Sequence, residues 1–197
     1  MSKRLKCSGC ERPLKTCLCD TLVELSCDYQ LIILQDPKEA KHALSSAPIL
    51  ARSITGARLL VGEEFDPVLL FGEKWKQESI LVFPSDDSLP TSTASKLTFK
   101  NLILIDGTWR KVARLLHLNP WLSEIPSIAI ESSHSSKYTI RKSPREDGLS
   151  TIEAAVQVLN DLNNEKDFTP ILAAFHKMIH LQIEAMGKEK FENNYLK

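Results

Sequence analysis

The apolar residues of this chain fall into short runs separated by polar stretches, and the period of the runs changes along its length. Leu31 to Leu34 and Leu102 to Ile105 are unbroken, which is the composition of strands buried on both faces. Segments 29–35, 67–71, 79–83, 101–105 and 127–130 read as strands on this basis. Between them the spacing turns helical. Segment 37–44 reads as a short helix with Asp36 as its cap and proline in its first turn, and 53–60 as a second helical piece interrupted by Gly56. Trp109, Val112, Ala113, Leu115 and Leu116 recur on one helical face after Asp106, Gly107 and Thr108, with Thr108 able to cap them. Ser150 or Thr151 opens another helix with Ile152, Ala155, Val156 and Leu159 on its apolar side. Segment 169–188 is one long amphipathic helix presenting Ile171, Leu172, Phe175, Met178, Ile179 and Ile183. Strands alternating with helices predict an α/β fold, a mostly parallel sheet with helices on both faces.

Length and composition bound this picture. The 197 residues, 43% hydrophobic and 25% charged, suffice for one substantial core and a small appendage. The apolar runs are far too short to cross a bilayer, and the amino terminus has charges without an apolar signal core, so a cytoplasmic chain with no membrane partner is expected, by default a monomer. Twenty-five basic residues balance 25 acidic ones, so attraction to nucleic acid has to come from local patches.

Four of the five cysteines lie in the first 19 residues, as Cys7, Cys10, Cys17 and Cys19, in a segment too short and polar to hold its own core. C-x-x-C followed by C-x-C places four thiolates within reach of one tetrahedral ion, and cytosolic thiols favour zinc over the alternative of two disulfides. With every ligand a thiolate, the zinc is structural. The expected organisation is a zinc knuckle at 1–27 and an α/β domain at 28–197, with Cys27 a packing residue. Lys3, Arg4, Lys6, Arg12 and Lys15 around the knuckle form either a solvated face or a phosphate contact. His176 and His180 stand four apart on the last helix with no third ligand nearby, and read as surface or satisfied packing residues.

Candidate chemistry centres on Asp106. A carboxylate at the carboxyl end of a buried parallel strand, beside the start of the next helix, sits where open α/β sheets build ligand crevices; the alternative is a simple helix cap. A second informative stretch holds Lys137, Tyr138, Arg141, Lys142 and Arg145, an aromatic among cations, which suits base stacking with phosphates held by Arg and Lys. It leads to Leu149, Ser150 and Thr151, where the N–H groups opening a helix can receive a carboxylate.

Asp106-Gly107-Thr108-Trp109 resembles the D-x-T-W signature of the DTW-domain family, the tRNA-uridine aminocarboxypropyltransferases that use S-adenosylmethionine. Ser136 to Pro144 and Leu149 to Ala154 are similar to the family's second hallmark, S-x-Y-x-x-R-K-x-P followed by L-S-T-x-E-A, and the cysteine knuckle precedes both in the family's order. The segment Leu34 to Glu39 also resembles the family, with Asp36 where a His is usual, and 45–50 lacks the family's Asn-Thr-Gly.

The resemblance implies a SPOUT-like fold, whose knot, if carried over, involves the loops at Phe83, Asp106 and Gly148. It implies S-adenosylmethionine beside Phe83, Pro84, Ser85, Thr108, Trp109, Leu149, Ser150 and Thr151, and tRNA as partner. It further implies transfer of the 3-amino-3-carboxypropyl group to the ring imide nitrogen of a uridine, with release of methylthioadenosine. Asp106 is the candidate catalytic residue, as base or as orienter of the uracil. A methyltransferase acting on RNA and a non-catalytic zinc-dependent RNA-binding protein are the rival readings.

Overall fold

Leu31 to Leu34 are buried because β1 (Gln30–Gln35) has a parallel neighbour on each side and a helical layer on each face. The computed structural model describes residues 5–130, 149–163 and 165–187. In chain order its elements are β1, α1 (Ala47–Ser53), β2 (Arg58–Val61), α2 (Pro67–Phe71), α3 (Trp75–Glu78), β3 (Ser79–Val82), β4 (Leu89–Pro90) and α4 (Thr91–Ala94). They continue with β5 (Asn101–Asp106), α5 (Trp109–Leu118), β6 (Ser127–Ala129), α6 (Thr151–Leu162) and α7 (Leu172–Met186). The strands form one parallel sheet in the order β2-β1-β5-β3-β6-β4. The expected α/β architecture is therefore present.

Alternation along the strands sorts the core into two layers. Leu31, Ile33, Leu102, Leu104, Ile80 and Ile128 face one way, packing with Leu50 of α1, Ile152 and Leu159 of α6, and Phe175 and Met178 of α7. Ile32, Leu34, Leu81 and Ile103 face the other way, onto Trp75, Trp121, Leu122 and Ile125. Trp75 and Trp121 meet edge-on at 5.6 Å, and the Trp121 indole N–H donates to the Phe65 carbonyl at 2.9 Å.

Four local expectations are corrected. Segment 37–44 forms successive turns: Asp36 Oδ1 accepts from the N–H groups of Lys38 and Glu39, and with only Leu44 as a large apolar side chain the segment has no face to pack as a helix. Segment 53–60 is not helical, because α1 ends at Ser53, Ile54 pairs with Leu25, and Gly56 at φ 75° turns the chain into β2. Segment 67–71 is the helix α2, since the Asp66 carboxylate accepts from Val68 and Leu69 N–H with Pro67 in the first turn. The last helix begins at Leu172, after a 3-10 turn at Thr169–Ile171, and stops at Gly187, whose φ is 88°. On that helix His176 and His180 are exposed, and His180 faces Glu184 at 3.2 Å.

The amino-terminal turn is docked onto the sheet layers. Leu18 is only 1% exposed and belongs to the larger core cluster, with Leu22, Val23 and Leu25 packed against it. Polar ties flank it: Arg52 donates to the Gly9 carbonyl and pairs with Glu11, Arg12 reaches the Ala43 carbonyl, and Lys177 pairs with Asp20 at 2.6 Å. Among the described residues no helix is long and apolar enough to cross a membrane.

Candidate functional site

β1 and β5 are in register, so the last residue of each strand, Gln35 and Asp106, are direct partners at the carboxyl edge of the sheet. Both continue the phase of the face covered by α6: Gln35 follows Leu31 and Ile33, and Asp106 follows Leu102 and Leu104. Asp106 is buried, and donors from two other elements hold its carboxylate. The Gln35 Nε2 donates to Oδ2 at 2.7 Å, and the Thr151 hydroxyl, in the first turn of α6, donates to Oδ1 at 2.6 Å. Gln35 also donates to the buried Ser45 hydroxyl at 2.8 Å. A buried carboxylate without such partners would carry a large desolvation penalty; here the hydrogen bonds offset it.

The turn that follows is equally constrained. A Cβ on Gly107 would lie 3.0 Å from Cβ of Lys111 and 3.8 Å from Cβ of Asp36, so the chain reverses in a space with little room for a larger residue. Lys111 bridges Glu39, which is 1% exposed, at 2.8 Å and lies 3.9 Å from Asp36. The Lys111 side chain is itself 23% exposed, so removing it costs less than the roughly 3 to 5 kcal/mol of a fully buried pair. Thr108 stands at the N-cap of α5 without a side-chain cap bond, a correction to the cap expected of it.

The aromatic part of the site lies on the opposite face. Trp109 is 37% exposed and not an anchor of the core; its ring is tilted against Phe83 with centroids 6.4 Å apart. Phe83 continues the phase of Leu81, and with Ser85 it lines a pocket of about 300 Å³ whose other walls include Leu116, Leu122, Ser123 and Ser127. Ser85 and Ser127 share a hydrogen bond at 2.8 Å, while Pro84 is exposed beside them. The structure thus joins Asp106 with Thr151 on one face and Trp109 with Phe83 on the other, the carboxyl edge of the sheet connecting them.

Leu149 and Ser150 lead into α6 through a capping box: the Ser150 hydroxyl accepts from the Glu153 N–H, and the Glu153 carboxylate accepts from the Ser150 N–H at 2.9 Å. This helix end already carries a carboxylate of its own. Ser150→Ala should lower stability by about 1 kcal/mol in urea unfolding, and an unchanged midpoint would show that the box is dispensable. Lys137, Tyr138, Arg141, Lys142, Arg145 and the Gly148 loop lie outside the described residues.

At the amino terminus the Sγ atoms of Cys7, Cys10, Cys17 and Cys19 all lie within 4.8 Å of one another, with edges of 3.5 Å for Cys7–Cys19 and Cys7–Cys17 and 3.7 Å for Cys10–Cys17. A tetrahedral zinc with Zn–S near 2.3 Å would set edges of about 3.8 Å. The residues fit the ion. A Cβ on Gly9 would come 2.9 Å from the Cys19 sulfur, so glycine leaves room for the cluster. Crowding also splits the thiols: the Cys10 and Gly9 backbone N–H groups draw Cys7 down to about 6, while Cys7 and Cys17 push Cys19 up to about 12. Four thiolates this close require a cation. The thiols here are ordered by the hairpin in which Lys6 pairs with Pro13 and by the Leu14–Thr16 turn.

Reading along the sequence missed Gln35, Ser45, Glu39 and Lys111. The signal for Gln35 was present as a polar residue in core phase at a strand end, the same signal that marks Asp106; the others have none outside the tertiary structure.

Comparison with known proteins follows the same geography. The chain is 27% identical over 205 residues to tRNA-uridine aminocarboxypropyltransferase 2 of Drosophila melanogaster, covering 99% of this chain and 82% of that protein. It is 30% identical to tRNA-uridine aminocarboxypropyltransferase 2 of Macaca fascicularis over 81% of this chain and 57% of that protein. To tRNA-uridine aminocarboxypropyltransferase A of Arabidopsis thaliana it is 23% identical over 99% of this chain and 87% of that protein. No solved structure matches it significantly. The DTW domain matches residues 4–183, a span that takes in the cysteine cluster, the whole parallel sheet and the Asp106 turn, and the chain belongs to the DTW domain family.

Proposed function

We propose that this protein is a tRNA-uridine aminocarboxypropyltransferase that takes the 3-amino-3-carboxypropyl group from S-adenosylmethionine and attaches it to the ring imide nitrogen of a uridine. The observation that carries this reading is the near full-length relationship to transferases of that name, combined with the buried Asp106 at the carboxyl edge of the sheet. The donor's adenosine occupies the pocket beside Phe83, Pro84 and Ser85, with Trp109 and Thr108 at its rim and Leu149, Ser150 and Thr151 across the sheet edge. Apolar walls with hydroxyls among them suit a nucleoside.

In the transfer step the N3–H of the uracil gives up its proton, N3 bonds to the terminal carbon of the arm, and the carbon–sulfur bond breaks. Its electron pair neutralises the sulfonium, which leaves as methylthioadenosine. Asp106 accepts or directs the N3 proton, a contribution of roughly a hundred- to ten-thousand-fold. Lys137, Tyr138, Arg141, Lys142 and Arg145 hold the tRNA, with cations on phosphates and the tyrosine on a base.

Residues 1–27 form a unit around a structural zinc held by Cys7, Cys10, Cys17 and Cys19, docked through Leu18 on the catalytic domain of 28–197. The protein acts as a monomer in the cytoplasm, where a reducing medium keeps its thiols available to zinc. Incubating unmodified tRNA with the protein and S-adenosylmethionine, then analysing nucleosides by mass spectrometry, tests the reading. The expected result is a uridine heavier by the aminocarboxypropyl group and stoichiometric methylthioadenosine; a methylated nucleoside with S-adenosylhomocysteine, or no product, overturns it.

A further inference from the structure

Gln35 occupies an unusual place: the final position of a central parallel strand, 1% exposed, with its side chain directed at Asp106 on the neighbouring strand. Its amide is orientated without ambiguity. Were it flipped, Oε1 would face an Asp106 carboxylate oxygen at 2.7 Å, acceptor against acceptor, whereas the observed Nε2 serves both Asp106 and the Ser45 hydroxyl. Ser45 stands just before α1 and is itself buried, so the amide is held from a third segment.

The outer torsion of an aspartate is broad, and each hydrogen bond to the carboxylate narrows it. Thr151 supplies one restraint from α6, and Gln35 supplies the second from β1 on the other oxygen. Together they fix the plane of the carboxylate relative to the sheet edge.

We propose that Gln35 is a positioning residue for the transfer reaction: held by Ser45, it aims the Asp106 carboxylate at the uracil, and the rate depends on that aim while tRNA binding does not. This rests on the transferase reading above. Misplacing a reacting group by about 1 Å costs on the order of a hundredfold in rate. Gln35→Met, nearly isosteric and unable to donate, should lower kcat by roughly 10- to 100-fold with KM for tRNA within about threefold. Ser45→Ala leaves the amide in place without its second partner and should lower kcat by a smaller factor.

Gln35→Glu gives a signature that loss of packing does not. Two carboxyls at this distance share one proton, and the protonated Glu can donate to Asp106 as the amide does. Raising the pH removes that proton and replaces the donor with a like charge. The kcat of this variant should therefore fall with rising pH where wild type and Gln35→Met do not fall. Among the described residues, Asp36, Glu39 and Lys111 around the turn and Glu153 at the start of α6 are the other charged groups, and they are common to all the variants.

Steady-state kinetics of the full-length zinc-loaded protein, with thermal midpoints measured on the same samples at each pH, decide the matter. A drop in kcat with KM and folded fraction preserved, and the extra pH limb in Gln35→Glu alone, are expected. Wild-type kcat in Gln35→Met and Ser45→Ala, a rate loss that merely tracks unfolding, or a Gln35→Glu profile parallel to wild type overturns the positioning role. Failure of wild type to form any aminocarboxypropyl uridine overturns the transferase reading itself, a separate outcome read in the same assay.

Discussion

Removing zinc, by chelation or by Cys17→Ser, is expected to unfold residues 5–19 and to lower the thermal midpoint of the rest of the chain. The local effect follows from scale: zinc contributes on the order of 10 to 16 kcal/mol in finger peptides, and this segment holds no core of its own to replace it. The transmitted effect follows from Leu18. It lies between the ligands Cys17 and Cys19 and is 1% exposed within the core shared with α1, α6 and α7. Once the cluster opens, Leu18 is held only from its carboxyl-terminal side, by the packing of Leu22 and the Lys177–Asp20 pair, and full loss of such a position costs about 2 to 5 kcal/mol. For a domain of this size that is a fall of roughly 5 to 15 °C. Elemental analysis should find one zinc per chain in wild type and little in the variant, and Gly9→Ala should bind zinc more weakly because its new methyl meets the Cys19 sulfur. A zinc-free wild type would remove the metal site. A zinc-free variant with an unchanged midpoint would show that Leu18 stays docked without the ion.

Asp106→Asn is expected to keep donor binding and lose most transfer, by about a hundredfold or more. The side chain retains one acceptor oxygen where the carboxylate has two, yet the donors of Gln35 and Thr151 both remain aimed at it. Gln35 can keep the oxygen while the Thr151 hydroxyl turns to accept from the new amide N–H, so stability should fall by only about 1 kcal/mol. Trp109→Ala should lose both donor binding and transfer, since it strips the exposed ring that leans on Phe83 at the pocket rim. Isotopic label identifies the bond that breaks. The sulfonium activates three carbons, and orientation alone selects among them. Label in the donor's carboxyl carbon should enter tRNA, while label in its methyl group should leave in methylthioadenosine. Methyl label in the RNA would instead assign a methyltransferase, and full activity in Asp106→Asn would remove that residue from the chemistry while leaving the reaction class standing.

The sequence alone determined those features whose cause is local or compositional. Unbroken apolar runs at Leu31 to Leu34 and Leu102 to Ile105 have the composition of strands shielded on both faces and form the centre of the parallel sheet, although the similar run at 67–71 is a helix. The four cysteines were legible as a cluster with metal-ligand spacing, which the structure brings together, and Ser150 with Glu153 announced a capping box that the structure contains. Asp106 was legible because a lone acid ending a buried strand has few explanations.

Tertiary structure decided what those features face. Periodicity reports which residues of one segment share a side, but the element packed on that side is fixed by strand register and layer order, which are properties of distant segments. Gln35 became part of the site only through its pairing with Asp106, 71 residues away. Segment 37–44 gave up helix for turns that hold Glu39 against Lys111, an interaction between residues 72 apart that no local window contains. Leu18 looked like part of a polar appendage and is core, whereas Trp109 shares the apolar spacing of its helix and is exposed, because each depends on a surface supplied by another part of the chain.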